Sequence, residues 1–262
     1  MENWNNGIKM KFKIIFFSWL IVFTTVLYSQ VNKNVINDKY KDILARSDEA
    51  FFPKISKFNF TMKLYEGNKY LRYYQLHCYV KGYRKYLAVI TGPPIVSRQA
   101  SLRRDDIIWT YLAKINRTYE VSAKAAFEAS TFSEEDLLSS SLGYFYKLDK
   151  VEETQLNGQK VLELFLTTRS NKNAYYRIES FINKETLLPV ERDYYSFSNQ
   201  KIKVEKIIDV KEKDGRLQYL HLIMYDSLIK GRYSDIVMQN FEYPENLDDR
   251  MFTKAYMEAA TQ

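Results

Sequence analysis

The strongest constraint in this sequence is a period of two that keeps returning. Phe58, Phe60, Met62 and Leu64 alternate with Lys57, Asn59, Thr61 and Lys63, the pattern of a strand with one buried face and one wet face. Glu66-Gly67-Asn68 turns the chain, and a Tyr- and Leu-rich run follows from Lys69 to Val80. Tyr86 to Ile90 reads as the next strand, stopped by Gly92-Pro93-Pro94. Further faces are marked by Leu162, Leu164 and Leu166, then by Tyr176, Ile178 and Ile182. Ile202, Val204, Ile208 and Val210 mark another, followed by Leu220, Leu222 and Met224, and by Ile236 and Met238. Asn157-Gly158, Ser170 to Asn173, Ser198-Asn199 and Asp214-Gly215 separate them with turn chemistry. Ten or so antiparallel strands are too many for a flat open sheet. The pattern therefore predicts a mainly β (α+β) chain, one curled antiparallel sheet with a few helices against it. Helical spacing appears at Asn34–Phe52, closed by Pro53; Ala- and Glu-rich Ala123–Ser141 reads as one or two short helices and Asn246–Ala260 as a C-terminal helix.

Composition narrows the chemistry. One cysteine, Cys78, and two histidines, His77 and His221, leave few parts for a metal centre or a nucleophilic triad. His77 and Cys78 are adjacent in a predicted strand and so face opposite ways. His221 alternates with Leu220 and Leu222 and falls on the outer face. Glu134-Glu135-Asp136 follows Ser133, which reads as a capped helix start with acids favouring its dipole. The net charge of +7 is spread over mixed faces such as Lys201-x-Lys203-x-Glu205. That argues for a solvated surface and against nucleic acid. These readings predict no enzyme, no cofactor and no metal. An envelope hydrolase with a site at Asp136 or His221 stays open as a rival.

Residues 1–30 read as an address. A basic head, Met10-Lys-Phe-Lys, precedes fourteen apolar-dominated residues, Ile14 to Leu27, and then Tyr28-Ser-Gln. That is the layout of a secretory signal peptide, with Met10 as a possible start, and it is short of the ~20 residues of a membrane span. A retained anchor stays open as the alternative. The domain to fold is then 31–262.

The aromatic surplus, 22 Tyr, 16 Phe and 3 Trp, leaves two possibilities. A curled sheet's inner face either is filled by its helices or shelters an apolar guest. The order of motifs bears on the choice: Ile43-Leu-Ala-Arg-Ser-Asp48; Tyr86-Leu-Ala-Val-Ile-Thr-Gly-Pro-Pro94; Ser101-Leu-Arg-Arg-Asp-Asp-Ile-Ile-Trp109-Thr-Tyr111-Leu; Asn116-Arg-Thr-Tyr-Glu-Val-Ser122; Ser130-Thr-Phe-Ser-Glu-Glu-Asp136-Leu. This order resembles the outer membrane lipoprotein-sorting protein family, LolA-like periplasmic carriers, over about a hundred residues. Departures include Ala113 where that family has proline.

The resemblance implies a half-barrel of about eleven strands with its concave face covered by short helices. It implies a periplasmic, monomeric carrier of lipid or lipoprotein acyl chains, loaded by an inner-membrane transporter and emptied at an outer-membrane acceptor. The alternative is an envelope lipid sensor or protein-interaction module on the same fold. Candidate concave-face residues are Phe58, Phe60, Met62 and Leu64 by alternation, with Trp109 and Tyr111 by their match to the motif strand. Phe132, Asp136 and Leu137 are the candidate lid helix, as cap and packing.

Overall fold

The computed structural model describes residues 40–261 except 41, 53, 97, 139 and 140. The expected signal peptide or anchor at 1–30, the first residues of the expected N-terminal helix and its stop at Pro53 lie outside the described residues. The chain divides into two units, Met1–Lys41 and Asp42–Gln262, and the second carries the fold.

Helix α1 (Ile43–Phe51) leads into β1 (Ile55–Glu66), β2 (Lys69–Lys81) and β3 (Lys85–Gly92). Three short strands follow: β4 (Gln99–Arg104), β5 (Ile107–Leu112) and β6 (Arg117–Val121). A crossover then carries α2 (Glu134–Leu138) and α3 (Leu142–Phe145). The second strand block runs β7 (Tyr146–Leu156), β8 (Gln159–Thr168), β9 (Arg177–Asn183) and β10 (Pro189–Tyr195). It ends with β11 (Lys201–Lys213), β12 (Arg216–Asp226) and β13 (Arg232–Glu242), before a 3-10 turn at Asp249–Phe252 and α4 (Lys254–Ala259). The C-terminal helix is thus much shorter than the expected Asn246–Ala260.

All thirteen strands form one unclosed sheet in the order β6-β5-β4-β3-β2-β1-β13-β12-β11-β10-β9-β8-β7. Each block is a meander, and the two join at the centre, where β13 pairs with β1. The consecutive strands β6 and β7 are therefore the two outer edges, and the crossover spans from one to the other. The sheet curls around it. Arg103 of β4 lies 3.9 Å over the ring of Phe145, the last residue of α3 directly before β7, although nine strands separate β4 from β7 in the sheet.

The register decides which side chains share a face. Phe60 stands opposite Leu76 and Met238, and Met62 opposite Tyr74 and Ile236. Leu64 stands opposite Ser234. These rows continue through Leu220, Leu222 and Met224 of β12, all buried. This is the concave face. The opposite face of β3–β5 is buried as well, against the C-terminal segment. Leu87, Val89, Ala100, Leu102 and Tyr111 pack with Leu247, Phe252 and Met257, and Trp109 lies partly buried against them. The run Leu87-Ala-Val-Ile90 is apolar on both sides for that reason, as strands covered on both faces are.

Candidate functional site

The concave face is largely filled. At one end Phe52, just past α1, meets Phe58 edge-on at 5.5 Å, and Phe58 stacks on Phe241 at 4.9 Å. Farther along, Phe132 of the crossover meets Phe60 edge-on at 6.2 Å. Phe58, Phe60, Met62 and Leu64 thus share one buried face, and Phe132 is brought over it, while Leu137 of α2 is buried as well. Trp109 and Tyr111 are not. They share a face with each other, but register places them opposite Leu102 and Ala100, on the convex side under the C-terminal segment. Their place on the concave face is corrected: β5 turns its aromatics outward because residues 247–257 come back to cover that side.

A cavity of about 70 Å³ remains between α1, the crossover and β9–β13. Its walls include Phe51, Phe132, Ile178, Leu222 and Met238, and also Asp48, Asp136, Arg192 and Glu205. Such a volume holds a few waters, whereas ligand pockets run to several hundred Å³. No group of three or more metal-ligating residues occurs among the described residues.

The polar lining was hidden in the sequence. Arg192 of β10 pairs with Glu205 of β11 at 3.3 Å, both buried, and its guanidinium lies 4.6 Å over the Phe51 ring. Tyr194 donates to the other oxygen of Glu205 at 2.5 Å. Lys203 donates to Asp136 at 3.0 Å and to the Tyr175 hydroxyl at 2.7 Å, and Tyr175 donates to Asp136 at 2.5 Å. Lys203 and Glu205 thus belong to the inside, correcting the expectation of a solvated charged face. On β11 it is Ile202 and Val204 that face outward, because Val204 pairs with Asp193 while Glu205 pairs with Arg192.

The acidic trio after Ser133 opens a helix with a cap, as its sequence predicts. Asp136 does complete a capping box: its carboxylate accepts from the Ser133 amide at 2.8 Å, and the Ser133 hydroxyl accepts from the Asp136 amide. Glu134 and Glu135 are buried, which the sequence does not indicate. Glu135 accepts from the Tyr146 hydroxyl at 2.5 Å and from the Ala174 amide at 2.9 Å, and burial raises its pKa against those bonds. Burial pushes Glu134 up to about 7, with Ser101 pulling back and nearby Glu128 adding to the rise.

Asp48 of α1 ties the crossover down. Its carboxylate accepts from the Ser141 hydroxyl at 2.7 Å and from the Leu142 and Gly143 amides at 3.0 and 2.8 Å. A side chain on Gly143 would crowd that carboxylate at 3.2 Å, which explains the glycine. Burial raises the Asp48 pKa, against the pull of these three donors. Two further points fix the crossover to the sheet. Thr131 donates to Ser234 of β13 at 2.8 Å, and the Tyr74 hydroxyl reaches the Glu128 carbonyl at 3.3 Å. His77 and Cys78 do face opposite sides, exposed and buried, and His221 pairs with Asp235 at 3.1 Å on the outer face. Neither histidine approaches the cavity.

This arrangement, an unclosed curled sheet with a pinned crossover inside it, has counterparts among solved structures. A LolA superfamily protein from Nitrosomonas europaea superposes with a TM-score of 0.75 at 20% identity, covering 82% of this chain and 98% of that one. A DUF1329 family protein from Desulfovibrio piger gives 0.71 at 22%, covering 87% and 99%. A protein described as an outer membrane lipoprotein-sorting domain, from Vibrio parahaemolyticus, gives 0.70 at 18%, covering 86% and 99%. The fold is LolA-like. A family model described as "Uncharacterized protein" matches residues 82–259. The chain belongs to that family. No curated protein matches it. The observed thirteen strands exceed the expected eleven or so, the fold class being as expected. No described helix is long and apolar enough to cross a membrane.

Proposed function

We propose that this chain, with residues 31–262 as its mature domain, is a periplasmic, non-enzymatic carrier or binder of lipid or lipoprotein acyl chains. It acts as a monomer between an inner-membrane transporter and an outer-membrane acceptor. The observation that carries this reading is the nature of the cover on the concave face. The crossover carries only two short helices, of five and four residues, pinned by side-chain hydrogen bonds over a face that is apolar along β1, β12 and β13 and polar at Arg192, Lys203 and Glu205. Helices this short are not stable by themselves, so releasing the pins exposes Phe60, Met62 and Leu64 together. Each methylene sheltered there is stabilised by about 0.8 kcal/mol relative to water.

The small cavity supports a second reading, an envelope lipid sensor or interaction module on the same fold, in which the filled face is the working state. Native mass spectrometry of the full chain from its own envelope fraction, with solvent extraction, separates the two. A stoichiometric lipid adduct is expected. A bare polypeptide under gentle conditions sinks the carrier reading and leaves the module.

A further inference from the structure

The strand ends are unequal. In the meander order, the connections β1–β2, β3–β4, β5–β6, β8–β9, β10–β11 and β12–β13 all lie at one end of the strands, and the remaining turns lie at the other. Of the exposed large apolar side chains, most belong to the first end: Leu71, Ile95, Ile115, Phe197, Leu228 and Ile229 among them. The other end turns on Asp105-Asp106, Asn157-Gly158, Lys184-Glu185-Thr186 and Asp214-Gly215.

Charge divides the same way. Counted through residues 66–72, 92–99, 112–117, 168–177, 195–201 and 226–232, the apolar end carries 11 Lys and Arg against two acids, Glu66 and Asp226, and nine of the 11 remain once Arg177 and Lys201 are set against their partners Glu179 and Asp193. The opposite turns, 81–85, 104–107, 156–159, 183–189 and 213–216, carry 7 basic residues against 4 acids. Asp226 is further occupied at home, accepting from the Leu228 and Ile229 amides at 2.8 and 2.9 Å, which shapes the tip that presents them.

At the centre of this end two hairpin tips are joined into one platform. The Gly67 amide donates to the Gly231 carbonyl at 2.8 Å. Gly231 has φ +81°, and a side chain there would meet the Gly67 backbone at 3.0 Å, so the contact needs glycine. Behind the tips Tyr65 stacks on Tyr233 at 4.8 Å, with Tyr70 and Tyr225 at 5.7 and 5.8 Å from that pair. Leu228 is 57% exposed and Ile229 38%, and Lys69, Arg72, Lys230 and Arg232 flank them. Aliphatic tips, a tyrosine belt and surrounding cations are what an anionic bilayer surface binds.

We propose that the β1–β2 and β12–β13 tips, with Leu228 and Ile229 at their centre, dock this protein on an anionic lipid surface. The docking does not depend on what the concave face holds, so it stands or falls separately from the carrier reading. The test uses the full chain with one surface cysteine carrying an environment-sensitive fluorophore, at Ser227→Cys or, at the opposite end, at Asp214→Cys. Cys78 is buried and stays unlabelled. With vesicles of phosphatidylcholine and phosphatidylglycerol, the label at 227 should shift to the blue and brighten at least twofold, while the label at 214 stays unchanged. Leu228→Asp with Ile229→Asp should remove the response and leave the far-ultraviolet circular dichroism as it was. A silent label at 227, an equal response at both ends, or an equal response on neutral vesicles overturns the proposal. So does a dimer in solution that the Asp variants dissolve while vesicles leave the label silent, which makes the platform a face for a second copy.

Discussion

Glu134 is a carboxyl that the fold holds protonated where the unfolded chain would not. Its pKa rises from 4.5 to about 7, chiefly through burial. A raised carboxylate pKa means the folded state keeps its proton longer than the unfolded state. Its contribution to stability is therefore present below pH 4.5 and is lost as pH rises towards 7. Glu134→Gln removes the titration, so the variant should match the parent near pH 4 and exceed it at pH 8, by roughly 3 kcal/mol at most. Urea unfolding across that range measures it, and a pH-independent difference would mean Glu134 does not titrate there. Asp48 differs because its bonds are made to a neighbouring element. Asp48→Ala strips three donors of their acceptor and deprives Arg192 of a nearby negative charge. A loss of about 2–4 kcal/mol is expected, together with higher binding of an apolar dye. These residues were poorly legible in the sequence. Lys203 and Glu205 sit in an alternating charged run, and alternation alone does not say which of two faces is inside. Arg192 and Glu205 answer each other only once β10 and β11 are in register.

At the scale of elements, the strands were legible and their covering was not. β1 announces itself because one of its faces is apolar throughout, and β3 because both are. The convex patch of β3–β5 depends on residues 247–257, far along the chain, and no local period points to it. Hence Trp109 looks inward by its motif and packs outward in the fold. That yields a contrast to measure. Phe60→Leu should weaken binding of a fluorescent fatty acid several-fold, whereas Trp109→Leu should leave it unchanged; equal effects would void the assignment of faces. Phe252→Ala, in the convex core, should cost about 3–5 kcal/mol of stability in a denaturant titration. The crossover offers a sharper test of its role as a cover. Thr131 and Ser234 touch through their hydroxyls at 2.8 Å, within reach of a disulfide if both become cysteine. Oxidised Thr131→Cys/Ser234→Cys protein should refuse the fatty acid and the reduced form should take it up. Uptake by the oxidised form would show that cargo enters elsewhere.

On the carrier reading, the whole molecule sets its concave face against a detachable cover, and the balance between them is an equilibrium. An acyl chain with about fourteen sheltered methylenes supplies on the order of 11 kcal/mol gross, comparable with what the crossover's hydrogen bonds to Asp48, Tyr146, Ala174, Tyr175, Lys203 and Ser234 resist at about 1 kcal/mol each, more where a carboxylate accepts. The cover also hides apolar surface of its own, Phe132 and Leu137 among it, so the same reading makes the open form a minor state in the absence of cargo. A ligand that binds only a minor open form is limited by how fast that form appears, and its apparent affinity falls with the open fraction. The rate of fatty-acid binding, followed by stopped-flow fluorescence, should therefore level off as concentration rises. Asp48→Ala, which loosens the crossover from α1 without touching Phe60 or Met62, should raise that plateau and tighten the apparent affinity by about the same factor. A rate that keeps rising linearly to the highest concentration would mean the face is already open, and the crossover then belongs to the core rather than the gate.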